Sequence, residues 1–377
     1  MAFPDLSKVT GGPFDLEGQT YSDVAIADRV FDPARPLVIT NGTLAGCKLT
    51  RCANIHFSDV SLTKGAAKYA LQANGGGNIR VTDFRLDAIG SPSDAKAIEL
   101  IGVDGFVIAD GDLQQFNIGI ALLSSDNGQI LRSQFHDFNE DCIRLVSARN
   151  VLIEGNDFHD FLLVASGAGI HPDAVQGFND KETLRQIMNI TIRYNRIWRG
   201  AGGKFQGIFF RNYPGEPSPD NVVIERNIIV GSLKNGISAV GTATVKDNVV
   251  IELEAGDLPH ITWAGAGVSV TGNEAPKFTD QAVGYRTPIP AGNKLNATMT
   301  PAAAQKLLDG WRSTAPTPVP DPVPIPEEPA PEPNPEPGEE IPTPTPETPP
   351  EAPAGDLAAY LGPDLIAALD ARYARRA

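Results

Sequence analysis

Apolar residues alternate with polar ones in short segments that recur along the chain and end in asparagine. Five such segments are residues 151–156, 190–195, 222–227, 243–248 and 268–273. The first and third residues are apolar and the sixth is asparagine, and an apolar period of two predicts a strand whose alternate residues enter a core. The repeated asparagine predicts a ladder of side-chain amides. A repeat of this kind predicts a solenoid, a coil wound turn upon turn.

Weaker copies of the segment extend this frame towards the N-terminus. The residue before each strand recurs at intervals of 21 to 39 residues, and a second strand in each turn opens with a small residue followed by an apolar one. A β-sandwich and a propeller are the alternatives. A sandwich would not keep this interval, and a propeller blade needs nearer to about 40 residues with hairpin turns. The spacing therefore favours a solenoid. The second strands are residues 97–100, 119–122, 142–145, 174–177, 207–210 and 236–239.

The asparagine phrase, the turn length and the ladder, over about residues 36–275, resemble right-handed parallel β-helix proteins of the pectate-lyase-like superfamily. The chain also resembles phage tailspikes and head spikes. This resemblance implies an all-β, right-handed parallel β-helix and a preference for polysaccharide. Because this superfamily includes lyases, hydrolases, epimerases, tailspikes and adhesins, the resemblance implies no single activity and assigns no catalytic residue.

The segments outside the repeat predict a body, a stalk and a terminal helix. Thr300, Pro301 and Gly310 give a short helix its start and stop, and this helix is expected to lie over the last coil. The predicted parts are an N-terminal cap (1–35), the parallel β-helix (36–295), a capping helix (296–314), a Pro/Glu-rich stalk (315–354) and an oligomerisation or docking helix (355–377).

The predicted stalk contains 17 prolines in 40 residues, which favours an extended polyproline II spacer of up to about 120 Å over a disordered tail. Behind it, apolar residues four apart form a stripe on the last helix. A helix this short is unstable alone, so a partner is expected: copies of itself, with a homotrimer as the predicted state, or a docking surface on a particle protein. The stripe is Leu357, Leu361, Leu365, Leu369 and Tyr373.

Charge and composition narrow the function classes. The net charge of −15 argues against nucleic acid as a partner, although nine acidic residues lie in 315–354 and leave about −6 on the remainder. Three cysteines give neither a disulfide framework nor a zinc spacing. We expect no membrane span, because no stretch of about 18 apolar residues occurs. The start lacks a signal-peptide pattern, which favours a particle assembled in the cytoplasm over a secreted enzyme.

The two longest intervals carry loops around the phrase His171-Pro-Asp173-Ala-Val-Gln176. Aligned by strand, Asp173 stacks on Asp141 below and Gln206 above. With turns about 4.8 Å apart, the two carboxylates cannot both ionise readily, so one is expected to have a raised pKa. The separation also suits a retaining glycosidase pair at about 5–5.5 Å. The predicted catalytic residues are Asp141, Asp173 and His171, the last as acid, base or ligand.

Side chains near this phrase are predicted to bind sugars. Gln176 stacks on Arg144 and Phe209, and all three have outward parity. Arg144 or Lys204 is a candidate for a sugar carboxylate. Phe209, Tyr213 and Trp198 offer flat faces for pyranose rings. No metal and no cofactor are expected.

A structural role, in place of a catalytic or binding one, remains an alternative for several of these residues. Asp141 and Asp173 have the parity of inward residues, so they are also candidates for capping a turn through backbone N–H groups. The repeated pairs His136/Asp137 and His159/Asp160 are interpreted as structural because they occur in the same frame.

These observations predict a spike or fibre of a phage-like particle, located on the virion surface, that recognises host surface polysaccharide and has a candidate cleavage site. A free bacterial polysaccharide hydrolase or lyase in the extracellular space is the alternative, and a purely adhesive decoration is a third hypothesis.

Overall fold

The computed structural model describes residues 3–4, 6–66, 68–88, 95–162, 172–180, 185–284 and 287–311. These residues belong to one compact unit, Met1–Ile325. The predicted stalk (315–354) and terminal helix (355–377) lie outside the described residues, as does His171.

The described strands form one parallel ladder that winds around three faces of a coil. After a 3-10 helix (Leu6–Lys8), the first turns are built by β1 (Gly12–Asp15), β2 (Thr20–Ala27), β3 (Leu37–Thr63) and β4 (Tyr69–Asp87), of which β3 and β4 run through the bends. Face 1 continues with β5 (Lys96–Ile101), β8 (Ile118–Leu123), β11 (Ile143–Val146), β14 (Asp173–Phe178), β17 (Gln206–Phe210), β20 (Asn235–Val240), β23 (His260–Ala264) and β26 (Lys277–Asp280).

Faces 2 and 3 repeat the same stacking. Face 2 contains β6 (Asp104–Ala109), β9 (Asp126–Leu131), β12 (Arg149–Glu154), β15 (Met188–Arg193), β18 (Asp220–Glu225), β21 (Ala243–Lys246) and β24 (Val268–Thr271). Face 3 contains β7 (Asp112–Gln114), β10 (Gln134–His136), β13 (Asp157–His159), β16 (Arg196–Trp198), β19 (Ile228–Val230), β22 (Val249–Ile251), β25 (Glu274–Ala275) and β27 (Lys294–Leu295).

The register of face 1 places one inward apolar residue above another in every turn. Eleven residues stand in this column, so the described part of the coil has eleven turns, and the solenoid prediction is confirmed. Parallel pairing begins in β1 and β2, ahead of the predicted boundary at residue 36, because these strands already bond to β3. The column is Val24, Cys47, Leu71, Ile98, Ile120, Ile143, Val175, Ile208, Ile237, Ile261 and Phe278.

The five predicted asparagines form one buried ladder between faces 2 and 3. The Asn156 Nδ2 donates to Asn195 Oδ1 at 3.1 Å, and each later step repeats the bond at 2.9 Å up to Asn293, a sixth member. The amides also donate to strand carbonyls, as Asn195 Nδ2 does to Ile153 O at 3.0 Å. Buried polar groups are thereby satisfied at every tight bend.

A second, exposed asparagine ladder marks the bend between faces 1 and 2. Asn150, Asn189 and Asn221 are linked by Nδ2-to-Oδ1 bonds of 2.7 and 2.8 Å, and their φ angles lie between 50° and 55°. Asparagine tolerates this left-handed conformation better than most residues, and its side chain bonds locally in turns. The residue that recurs before each predicted face 2 strand is therefore chosen by backbone geometry.

The predicted helix is present as α1 (Pro301–Trp311), and the Thr300 hydroxyl accepts the Ala303 N–H at 3.3 Å. Its buried residues Ala304 and Leu308 pack on outward apolar side chains of face 3, chiefly Ile228, Val230 and Ile251. These contacts place the helix on the side of the coil, whereas the sequence suggested the end of the last turn.

Leu308→Ala is expected to destabilise this helix contact by about 2 kcal/mol, because a buried leucine loses transfer energy and leaves a cavity. Trp311 belongs to the same apolar cluster, so its fluorescence reports the loosening during urea unfolding. Leu307→Ala, at a half-buried position of the same helix, is the matched control with a smaller expected effect. Equal effects of the two substitutions would contradict the assigned packing.

The outer side of face 3 has a column of stacked rings. The rings of His136 and His159 lie 5.1 Å apart and nearly parallel, and Trp198 lies 5.4 Å from His159. His136 Nδ1 contacts Asp137 at 2.8 Å and Nε2 contacts Asp112 at 2.9 Å. The hydrogen bond with Asp112 raises the pKa of His136 to about 9, outweighing burial, and Asp137 raises it further. The structural interpretation of these pairs agrees with this geometry.

We expect the free energy of unfolding to fall by up to about 2–3 kcal/mol between about pH 6.5 and pH 9 through His136. The folded state holds this proton above the unfolded pKa, so the stabilisation is complete below about pH 6.5 and is lost as pH rises to about 9. Urea unfolding of the wild type and of His136→Asn, at about pH 6.5 and at about pH 9, measures this loss of unfolding free energy. Parallel losses in the two proteins would contradict the role of His136.

Candidate functional site

Two aspartates on successive turns open neighbouring strands of face 1. Ile143 pairs with Val175, which sets Asp141 and Asp173 opposite each other, and the Cys142 N–H donates to Asp173 O at 2.9 Å. Asp173 also pairs with Gln206 on the next turn. The predicted stacking of these residues is confirmed. Only 2% of the Asp141 surface and 1% of the Asp173 surface are exposed.

The two carboxylates turn towards the outer side of face 1. Asp141 Oδ2 accepts a hydrogen bond from Arg144 Nε at 2.5 Å, and Asp173 Oδ2 accepts one from Gln176 Nε2 at 2.6 Å. Both donors lie three residues further along the chain, on outward positions of the strand. Among the described residues neither carboxylate accepts a backbone N–H, so the turn-capping alternative is not the arrangement that the structure has.

Burial and mutual repulsion make these carboxyl groups hard to ionise. Burial raises the pKa of Asp141 to about 6, against the opposing effect of Arg144. Burial raises the pKa of Asp173 well above its usual range, and the charge of Asp141 raises it further. Of the two carboxyl groups, Asp173 therefore retains a proton more readily than an ordinary aspartate does. Gln176 donates to Oδ2 of Asp173, whereas Oδ1 is buried and has no hydrogen-bond partner among the described residues.

The predicted cations are bound by protein carboxylates. Arg144 contacts Asp141 and also donates to Glu140 Oε2 at 3.0 Å. Lys204 donates to Asp257 Oδ1 at 2.6 Å. Both predicted cations thus have carboxylate partners within the protein, and the pairing of Lys204 with Asp257 joins two loops that no sequence pattern connects.

The predicted aromatic residues divide between two faces. Phe209 is half-buried in the outward column of face 1, where Gln176 is its neighbour in the turn below and Ser238 in the turn above. Tyr213 is partly exposed in the loop after β17. Trp198 is on face 3, where its indole N–H donates to Asp157 at 3.0 Å, so it does not belong to this site. His171 has no described position.

Arg211 is the residue that sequence reasoning missed. Its backbone N–H donates to Gly177 O at 3.1 Å, which places it beside Phe178, and its guanidinium lies 4.5 Å from the Phe178 ring centre. Its charge lowers the pKa of both aspartates against the effect of their burial. It directly follows the β17 strand, and the sequence offered no means of telling which way a loop arginine points.

The outer side of face 1 thus has a buried carboxyl pair beside polar and aromatic side chains.

The family model for the right handed beta helix region matches residues 69–282 of this chain. The chain belongs to this right-handed β-helix family. No curated protein matches the chain in sequence.

Solved structures of other β-helix proteins are similar to this chain in fold. PfbA, a surface adhesin of Streptococcus pneumoniae, is 13% identical over 72% of this chain and 80% of its own, with a TM-score of 0.43. The alginate lyase of Paenibacillus sp. str. FPU-7 is 13% identical over 78% and 94%, with a TM-score of 0.43. DFA-IIIase from Arthrobacter chlorophenolicus A6, in complex with GF2, is 12% identical over 78% and 84%, with a TM-score of 0.48. Nothing about activity follows from these values.

A groove of about 680 Å³ lies elsewhere on the β-helix, along the bend between faces 2 and 3. Its rim runs over successive turns through Asp59, Asp83, Asp110 and Arg132, and Arg132 binds Asp110 at 2.6 and 2.7 Å. The groove contains no residue of the carboxyl pair.

Within the described part of the chain, no helix has the length and apolar character needed to cross a membrane.

Proposed function

We propose that the protein binds a linear polysaccharide along the outer side of face 1 and hydrolyses it with Asp173 and Asp141. The observation that carries this proposal is the buried carboxyl pair, in which burial raises the pKa of Asp173 and leaves its Oδ1 without a partner among the described residues, while Arg144 donates to Asp141. Two carboxyl groups in environments that separate their pKa values are typical of acid and base partners.

In the proposed reaction the protonated Asp173 carboxyl group protonates the glycosidic oxygen as the bond between that oxygen and the anomeric carbon breaks. The Asp141 carboxylate attacks the anomeric carbon, and water then releases the sugar, returning a proton to Asp173. Neighbouring turns about 4.8 Å apart are close to the separation of about 5–5.5 Å in retaining enzymes. Phe209 offers an apolar face for a sugar ring in the same column.

Incubating the purified chain with a panel of neutral and acidic bacterial surface polysaccharides tests this function. We expect new reducing ends without the ultraviolet absorbance of an unsaturated uronate. Absorbance at the cut ends would show a lyase and contradict the hydrolytic roles. Binding without cleavage would support the adhesive alternative, which the groove between faces 2 and 3 favours. Binding of no glycan would remove the function altogether.

We further propose that the β-helix is the body of a spike or fibre on a phage-like particle, exposed on the virion surface for host attachment. Support comes from the sequence: the proline-rich residues 315–354 and the apolar stripe in residues 355–377. Light scattering after size exclusion is expected to give a homotrimer for the full chain and a monomer for residues 1–314. A monomeric full chain would contradict self-association, and docking through residues 355–377 would then require a particle protein.

A further inference from the structure

Arg211 has a guanidinium group that packs on two aromatic rings and has no ion-pair partner among the described residues. The guanidinium carbon lies 4.5 Å from the ring centre of Phe178 and 4.7 Å from that of Tyr213. Within the described part of the chain, its Nε is buried and has no hydrogen-bond partner. No carboxylate among the described residues forms an ion pair with it. Leaving a buried donor of a charged group unpaired is costly, so this arrangement is expected where a ligand completes it.

The other cationic side chains predicted to bind sugars differ from Arg211, because each is paired with a carboxylate. Arg144 is bound by Asp141 and Glu140, and Lys204 is bound by Asp257. Each of these protein ion pairs leaves little positive charge for a ligand. Arg211 keeps its charge, and the two aromatic rings hold its planar group in place and reduce its contact with water.

The position of Arg211 connects it with the carboxyl pair. It follows Phe210, which pairs with Gly177, so it occupies the turn above the strand that begins at Asp173. The positive charge of Arg211 lowers the pKa of both Asp141 and Asp173, against the effect of their burial. A sugar chain that reaches Asp173 would therefore pass close to the free guanidinium.

We propose that Arg211 binds a carboxylate of the polysaccharide, which makes the ligand an acidic glycan containing uronate or another carboxylated sugar. This rests on the function proposed above and specifies its substrate class. A guanidinium presents its N–H groups as a planar fork that matches the two oxygens of a carboxylate, and such charge-assisted bonds are stronger than neutral ones. The terminal N–H groups of the Arg211 guanidinium would form this fork.

Calorimetric titration of the full chain tests the proposal with oligomers of galacturonate, of mannuronate and guluronate, and of hyaluronan, each beside its carboxyl-reduced counterpart. We expect at least one acidic oligomer to bind, and its reduced form to bind about 10–100-fold more weakly. Arg211→Gln should lower affinity for the acidic form by a similar factor and leave the reduced form nearly unchanged. Arg211→Lys should fall between, since it keeps the charge and loses the fork.

Arg226→Gln is the matched control. Arg226 also lies over a tyrosine, 5.6 Å from the Tyr194 ring centre, but on the bend between faces 2 and 3. Its replacement should leave both affinities unchanged. Equal binding of acidic and reduced oligomers, or an equal loss for both in Arg211→Gln, would overturn the carboxylate site and leave glycan binding intact. If neither form of any oligomer binds, and neutral polysaccharides bind instead, the inference also fails; if no glycan binds, it fails together with the proposed function.

Discussion

Asn227→Ala is expected to lower the free energy of unfolding by about 3–5 kcal/mol, because it removes the middle of a continuous buried ladder. Asn227 Oδ1 accepts from both the backbone N–H and the side-chain amide of Asn195, at 3.1 and 2.9 Å. Its Nδ2 donates to Ile192 O and to Asn248 Oδ1, both at 2.9 Å. Alanine leaves these groups unpaired in a place where Asn227 is fully buried.

The exposed ladder supplies the control. Asn221 also donates to an asparagine one turn away, Asn189, at 2.8 Å, but its side chain is open to water. Asn221→Ala is expected to cost about 1 kcal/mol or less, mostly through its left-handed φ of 50°. Urea unfolding gives both values, and hydrogen exchange at Asn195 N shows whether the ladder opens locally. Similar losses for the two substitutions would contradict a ladder whose effect depends on burial.

The sequence allowed the coil to be predicted because its signal is repeated. Each turn needs inward apolar residues, an asparagine at the tight bend and a residue that tolerates positive φ, and these demands recur at one offset from Asn156 to Asn273. The stacking of residues on successive turns follows from alignment of the repeats alone, so the sequence predicts the column of Asp141, Asp173 and Gln206 that the structure has.

The contacts made by loops and by charged side chains could not be predicted from the repeat. The partner of Lys204 is Asp257, 53 residues away in another loop, and no periodicity connects them. Helix α1 was expected over the end of the coil, yet Leu308 packs on Ile228 because face 3 is apolar on its outer side there. The contacts of the Arg211 guanidinium with the rings of Phe178 and Tyr213 likewise have no signal in the sequence.

Asp173→Asn is expected to reduce glycan hydrolysis by about a thousandfold or more while leaving glycan binding within about twofold, because general acid catalysis is lost and the shape is kept. Reducing-end release measures the rate, and calorimetry measures the binding. Asp28→Asn, at an exposed ion pair with Arg51, should change neither. An unaltered rate in Asp173→Asn would remove this residue from the mechanism.

The pH dependence identifies the two roles separately. Activity should rise with pH as Asp141 ionises, with a midpoint near its pKa of about 6, and should fall again when Asp173 loses its proton. Stability gives an independent measure. The raised pKa of Asp173 means that the folded state holds a proton that the unfolded chain releases, so Asp173 lowers stability as pH rises above the unfolded value of about 3.9. Asparagine imitates the protonated form, and Asp173→Asn is therefore expected to lose less stability than the wild type as the pH rises above about 4. A variant that loses activity and keeps the full pH dependence of stability would show that the buried proton is not on Asp173.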